Sequence, residues 1–273
     1  MNRLPRISIV TISFEQHRFL MECIDSVHRQ RRDSVEYVVV DPGSTDGSLD
    51  LLKAAATEGK IDKLVIEVDE GPADGLNKGF QSSTNEILGY INADDRLVDG
   101  AIDFVLNYFA DHPMVDVLCG SIGMIDECGQ RALRGRTADK FELRRYIAGV
   151  CLVPQQATFF RRNAFERAGG FNTLNRVSWD GELLVDLALS GATFATCKKV
   201  LGEFRIYSGT ISSGGNAYLS NAEKEHLRLA RKVKEHDIRL FNQRTSGSLR
   251  LVYKINVWRH IKYLAVGRYG FIP

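Results

Sequence analysis

The chain has 273 residues and 44% hydrophobic content, enough for one large domain or a domain with an appendage. Its 36 basic and 34 acidic residues leave a net charge of +2, a balance that argues against nucleic acid as the main partner. Five scattered cysteines (Cys23, Cys119, Cys128, Cys151, Cys197) with no CxxC pair argue against a disulfide framework or zinc site and for a reducing compartment. The opening stretch reaches Glu15 too early for a secretory signal, and no apolar run nears the roughly 18 residues needed to span a bilayer. The expected location is the cytoplasm.

In chain order, Ile7–Ile12 reads as a β-branched strand, and His17–Arg29 as a helix with Phe19, Leu20, Cys23, Ile24 and Val27 at helical spacing. Glu36–Val40 is a second strand. It runs into the loop "DPGSTDGS", where Asp46 or Ser48 can cap a helix over Leu49–Ala56. Lys63–Val68 is a third strand, Asp74–Gln81 a short helix, Ile87–Ile91 a fourth strand and Ala101–Ala110 a helix. Farther on, strands are expected at Val115–Ile125, Gln156–Phe160, Thr193–Cys197 and Gly202–Ile206, and helices at Asn163–Ala168, Gly181–Ser190, Ala222–His236 and Leu249–Ala265. Alternating strands and helices imply a mostly parallel α/β sheet, whose ligands gather beyond the carboxyl ends of the strands.

Polar clusters fall at those ends. Asp41 follows the second strand, Asp69 the third, and Asp94 and Asp95 the fourth. Adjacent carboxylates at the end of a buried strand repel each other and lose solvation. Either they shape a turn and cap the next helix, or a hard divalent cation makes the pair favourable. Asp41 is either a turn-former or an acceptor for a base N–H or ribose hydroxyl. In "EVDEGPADGLNKGF", Lys78 can meet a phosphate and Asn77 a hydroxyl, or the stretch is a capped surface helix. The first strand is followed by no GxGxxG, and "GSTDGS" lacks the Gly-Lys-Ser/Thr of a P-loop.

Six stretches occur in order: "IVTISFEQHRFLMECIDSV", "VVVDPGSTDGS", "DEGPADGLNKGF", "YINADDRLVDGA", "PQQATFFRRNAFERAGGFN" and "SWDGELLVDLALSGATF". Together, over about Ile7 to Ser213, they resemble the family 2 glycosyltransferases of GT-A fold, and among them the bacterial enzymes that build cell-surface polysaccharides. The resemblance implies an α/β GT-A domain over 1–215 with a basic helical extension over 216–273. It implies a UDP-, GDP- or dTDP-linked sugar donor, a Mn²⁺ or Mg²⁺ cofactor, inversion at the anomeric carbon, and a saccharide acceptor that is lipid-linked, at the inner face of the plasma membrane. By the same resemblance Thr11, Ser13 and Glu15 line the nucleotide pocket and Asp41 holds the base. Asp69, Asn77 and Lys78 flank the base or diphosphate, Asp94 lies near ribose or donor sugar, and Asp95 binds the metal. Asn92 and Gln156 face the sugars. Asp180 is the base, with Glu182 in reserve, and Trp179 packs on a sugar face.

The chain departs from the family pattern at Pro42, where a second Asp is common, at Gln155, where His is frequent, and at Tyr207, where His is again frequent. Tyr207 leaves the role of that His in doubt and makes Arg205 the alternative phosphate contact. The glycine-rich loop Ser208–Asn216 has the composition of a lid. From Leu240 onward there are basic residues and no Asp or Glu. The segment 249–268 is either a packed helix with a solvated basic face, a membrane-surface helix with Tyr253, Trp258 and Tyr263 at the interface, or a dimer contact. Two other functional readings stand beside sugar transfer: a nucleotidyltransferase, disfavoured by a first loop without glycine, and a non-catalytic sugar-nucleotide or glycan binder, disfavoured by intact Asp94, Asp95 and Asp180.

Overall fold

The computed structural model describes residues 4–131, 133–208 and 215–255. Strands β1 (Ile7–Ile12), β2 (Val35–Asp41), β3 (Lys63–Ile66) and β4 (Ile87–Asn92) alternate with helices α1 (His17–His28), α2 (Ser48–Thr57) and α3 (Pro72–Ser82). They are followed by β5 (Arg96–Leu97), α4 (Ala101–Asp111), β6 (Val117–Ile125), β7 (Leu133–Arg136), α5 (Leu143–Ile147), a 3₁₀ turn (Gln155–Ala157), β8 (Thr158–Arg161), α6 (Arg162–Arg167), α7 (Trp179–Leu189), β9 (Phe194–Arg205), α8 (Gly215–Glu235) and α9 (Gln243–Ile255). One sheet in the order β3-β2-β1-β4-β8-β6-β9-β5, with β7 on β6, runs through the molecule.

β1, β2, β3 and β4 pair in parallel, and helices cover both faces, so their strands read as unbroken apolar runs rather than alternating ones. Successive side chains still separate by face. Ile9, Tyr37 and Val39 pack beneath α1, α2 and α4, while Val10, Val38 and Val40 pack against α3. Gly79 lets α3 approach closely: a Cβ there would lie 2.4 Å from a Val10 methyl.

The register aligns the carboxyl ends. Ile12 pairs with Val40 on one side and Asn92 on the other, and Asp41 pairs with Ile66. β8 is antiparallel to both β4 and β6, so β6 and its parallel partner β9 run the same way as β4. Arg205, paired with Ile125, therefore ends β9 at the same rim.

The structure corrects several expected elements. Thr193–Cys197 and Gly202–Ile206 are parts of the single strand β9, bulged against β6 around Cys119–Ile122. A 3₁₀ turn replaces the start of the strand expected from Gln156, and β5, β7 and α5 were not anticipated. α8 joins α5 and α7 through Ile147, Val185, Leu229 and Val233. On α9, Arg250 Nε donates to Ala148 O (2.7 Å) and the Tyr253 hydroxyl donates to Asp139. These two contacts tie α9 to the body, with Arg250 still exposed. Trp258, Arg259, Lys262, Tyr263 and most of the expected lid lie outside the described residues. Among the described residues no helix is long and apolar enough to cross a membrane.

Candidate active site at the carboxyl rim of the sheet

After β4 the chain turns through Asn92-Ala93-Asp94-Asp95, with Asp95 N donating to Asn92 O (3.0 Å), and then enters β5. The two carboxylates part company. Asp95 is 1% exposed, and its oxygens accept from Gln156 Nε2 (2.8 Å) and Arg205 N (2.8 Å). Burial, and then the charge of Asp94, push its carboxyl well above the usual range. Asp94 is half-buried and takes one hydrogen bond at Oδ2, from the Tyr207 hydroxyl (3.1 Å). Burial raises its carboxyl too, while the Tyr207 hydrogen bond opposes the rise. Beside it, Asn92 Oδ1 is buried without a hydrogen-bond partner among the described residues.

Asp95 is thus buried with both oxygens hydrogen-bonded inside the protein, whereas Asp94 keeps Oδ1 without a hydrogen bond among the described residues. Gln156, 7% exposed, is likewise engaged with Asp95. Arg205 is 1% exposed: Nε donates to Asp94 O (2.7 Å), Nη1 to Asp126 O (3.0 Å) and Nη2 to Glu22, with Phe19 packed on the guanidinium. It is the buried brace of the aspartate turn, with no donor directed to a phosphate. The brace continues outward as alternating charges, from Glu22 to Arg96, Glu203 and Arg131.

The neighbouring loops show the same separation of shaping and open groups. Asp41, fully buried, accepts from Gly43 N (2.9 Å), Ser44 N (2.7 Å) and Ser44 Oγ (2.8 Å), and so folds the "DPGS" turn. Thr11 is buried against Tyr37 (3.0 Å) and Cys23, below the rim rather than in a pocket. Ser13 Oγ is buried without a partner among the described residues. Glu15, at φ 53°, receives Thr45 N (2.8 Å) and remains on the surface.

Asn77 clamps the Phe171 peptide with both ends of its amide (2.8 and 2.9 Å). Lys78 binds Val68 O (2.6 Å), Glu67 (3.0 Å) and Asp74 (3.3 Å). Both residues therefore hold α3 and its loop in place. Asp69 is half-open. Its Oδ1 accepts Gly71 N (2.8 Å), and burial, with Asp74 and Asp41 nearby, raises its carboxyl.

Across the rim, the first turn of α7 carries Asp180 and Glu182, and their surroundings are opposite. Glu182 is fully buried and accepts from Asn175 (2.8 Å), Asn172 (3.1 Å), Arg228 (2.9 Å) and Lys232 (3.2 Å). Burial alone would raise its carboxyl, but the hydrogen bonds from Arg228, Asn175 and Asn172 pull it down to about 2. So weak a base suits an anchor for α8. Asp180 is half-buried, and no side-chain partner reaches it among the described residues. Burial raises its carboxyl against the opposing hydrogen bond of the Gly181 N–H. Its charge is felt by the Tyr90 and Tyr146 hydroxyls, and Tyr90 lies on β4, two residues before Asn92. Trp179 is 8% exposed and packs in the core beside Leu183, so its ring is not laid open to a sugar.

Residues 8–169 match the family described as Glycosyl transferase family 2. The chain is a family 2 glycosyltransferase. A PGL/p-HBAD biosynthesis glycosyltransferase of Mycobacterium bovis (strain BCG / Pasteur 1173P2) is 31% identical over 183 residues, covering 64% of this transferase and 68% of the relative. An uncharacterized glycosyltransferase of Nostoc sp. is 23% identical over 270 residues, covering 94% and 81%. Among solved structures, S. aureus TarS 1-349 in complex with UDP-GlcNAc superposes with a TM-score of 0.67 at 15% identity, covering 94% of this chain and 72% of that one. A Pyrobaculum calidifontis mannosyltransferase in complex with GDP-Man and Mn²⁺ gives 0.65 at 20%, covering 97% and 74%. Against the longer TarS chain, the transferase spans 43% of the length. These likenesses show the GT-A fold.

Sequence reasoning missed Arg176 at the transferase's rim, and flagged Tyr207 without giving it a role. Arg176, exposed and in the loop before Asp180, brings Nη1 to 3.4 Å from where a Cβ on Gly71 would stand. An arginine in a loop without a motif gives no signal until the loop is folded. Tyr207 stands as a brace on Asp94: its hydroxyl also accepts from Gln16 Nε2 (3.4 Å), its ring lies 4.8 Å from that of Phe19, and burial and then Asp94 push it up to about 12. Here the signal was present, as a residue differing from the family's histidine.

Proposed function

We propose that the transferase moves one sugar, with inversion, from a nucleoside diphosphate donor to a hydroxyl of a saccharide-bearing acceptor, with a divalent cation bound at Asp94. The observation that carries the reading is Asp180, a desolvated carboxylate without an ion-pair partner on the first turn of α7, within the electrostatic reach of Tyr90. A base with a raised pKa takes a proton more readily than one held down by cations. The acceptor oxygen forms its bond to the anomeric carbon as its proton passes to the Asp180 carboxylate. The bond from that carbon to the diphosphate breaks, and the electron pair leaves on the nucleoside diphosphate.

The residues present fit a hard cation. Asp94 Oδ1 and the unpartnered Asn92 Oδ1 are oxygen donors of the right chemistry. No group of three or more His, Cys, Asp or Glu gathers there among the described residues, so the donor diphosphate would complete the shell. When bound, the cation offsets charge on the leaving diphosphate. Arg176, near Gly71, supplies a second positive charge, and the rim loops of Ser13, Glu15, Asp41 and Asp69 shape the nucleoside pocket. The donors bound by the two structural neighbours support a nucleotide sugar.

The test is release of nucleoside diphosphate from a panel of UDP-, GDP- and dTDP-sugars, with and without Mn²⁺. One donor should turn over, and Asp180→Asn should lower transfer by roughly 10²–10⁴-fold while leaving nucleotide binding intact. Near-normal turnover in that variant would remove Asp180 from the reaction.

A further inference from the structure

A cavity of about 300 Å³ opens beside the first turn of α7, on the side of α5, α8 and α9. Its wall includes Ser178 and Gly181, which bracket Asp180, and Tyr146, Leu152, Ala222 and Tyr253. The size and lining match a site for a small apolar group with few polar contacts. Three features argue for a ligand site rather than loose packing. Tyr146 lines the cavity, and its hydroxyl reaches the first turn of α7 next to Asp180, 2.7 Å from where a Cβ on Gly181 would stand. That hydroxyl has no hydrogen-bond partner among the described residues. His226, also in the wall, is held toward its neutral form by burial and then by Arg250, so the wall adds no charge there.

Resting on the sugar-transfer reading, we propose that this cavity receives the apolar aglycone of the acceptor, with the Tyr146 hydroxyl hydrogen-bonding the acceptor sugar as its reacting hydroxyl meets Asp180. An acceptor carrying an aryl or alkyl group next to its sugar would be held by burial of that group, and one carrying only a methyl group would not.

The experiment measures binding of methyl, phenyl and hexyl glycosides of a hexose panel by ligand-observed NMR, with Mn²⁺ and nucleoside diphosphate present. Hydrolysis of the donor alone is followed in parallel. Phenyl or hexyl glycosides should bind at least tenfold more tightly than the methyl glycoside of the same sugar. Whichever leads tells an aromatic aglycone from a lipid chain. Ala222→Trp, which fills the cavity from α8, should erase that preference and leave donor hydrolysis unchanged. Tyr146→Phe should raise the acceptor KM with the donor KM constant. Equal affinity across the three aglycones, or a preference that survives Ala222→Trp, overturns the cavity assignment while donor hydrolysis stands. Absence of turnover with every donor overturns the sugar-transfer reading, and the cavity assignment with it.

Discussion

Asp94 and Asp95 are covalent neighbours with opposite surroundings, and substitution should separate them. Asp95→Ala removes the acceptor for two buried donors, Gln156 Nε2 and Arg205 N, which should cost about 2–5 kcal/mol and appear as a large fall in Tm. Asp94→Asn keeps shape and the Tyr207 contact, so Tm should hold while calorimetry shows Mn²⁺ binding with nucleoside diphosphate lost. The reverse pattern would return the cation to Asp95. The sequence made the pair visible, because two carboxylates ending an apolar run need an explanation. It could not say which one faces out, since that depends on Arg96 pairing with Glu203 more than a hundred residues away. Arg205, Asn77 and Lys78 pose a related ambiguity. A polar side chain near a site can recognise a ligand or hold a loop, and only the folded chain shows which of its hydrogen bonds are already made.

At the scale of elements, the buried parallel strands were legible because helices on both faces require continuous apolar runs, as in Val38–Val40. β9 was read as two strands because Lys198 and Lys199 interrupt its apolar pattern where β9 bulges against β6. β5 has two residues and no periodicity to detect. The attachment of α8 was equally hidden, because Glu182 and Arg228 are distant in sequence. That attachment carries a pH dependence. The Glu182 carboxyl lies at about 2 in the fold, below its ordinary 4.5, so its contribution is complete above about pH 4.5 and is lost as pH falls toward 2. The shift corresponds to about 3 kcal/mol. Glu182→Gln should lower stability by about that amount near neutral pH, in urea unfolding, with the gap narrowing below about pH 4.5. A constant gap from pH 7 to pH 3 would show that the lost contacts, and not the charge, hold α8.

For the whole molecule, the carboxylate proposed for chemistry is a liability to the fold. Burial raises the Asp180 carboxyl above its ordinary 3.8, so the unfolded chain loses that proton at a lower pH than the native chain does. Between those two pH values the native state binds more protons, and stability declines as pH rises through the folded pKa. Glu182, two residues along the same helix turn, acts in the opposite sense, and the pair places an anchor beside a destabilised base. Asp180→Asn retains the hydrogen-bond geometry at the start of α7 and removes the buried charge. The inactive variant should therefore melt above the wild type at pH 7–8, by about 2–4 °C for each kcal/mol of charge desolvation relieved. The two melting curves should converge below about pH 4, where both side chains are neutral. Calorimetric Tm values across that range decide the matter. A variant that melts below the wild type at pH 8 would mean that Asp180 stabilises α7 more than burial penalises its charge, and a strained, poised base would no longer describe it.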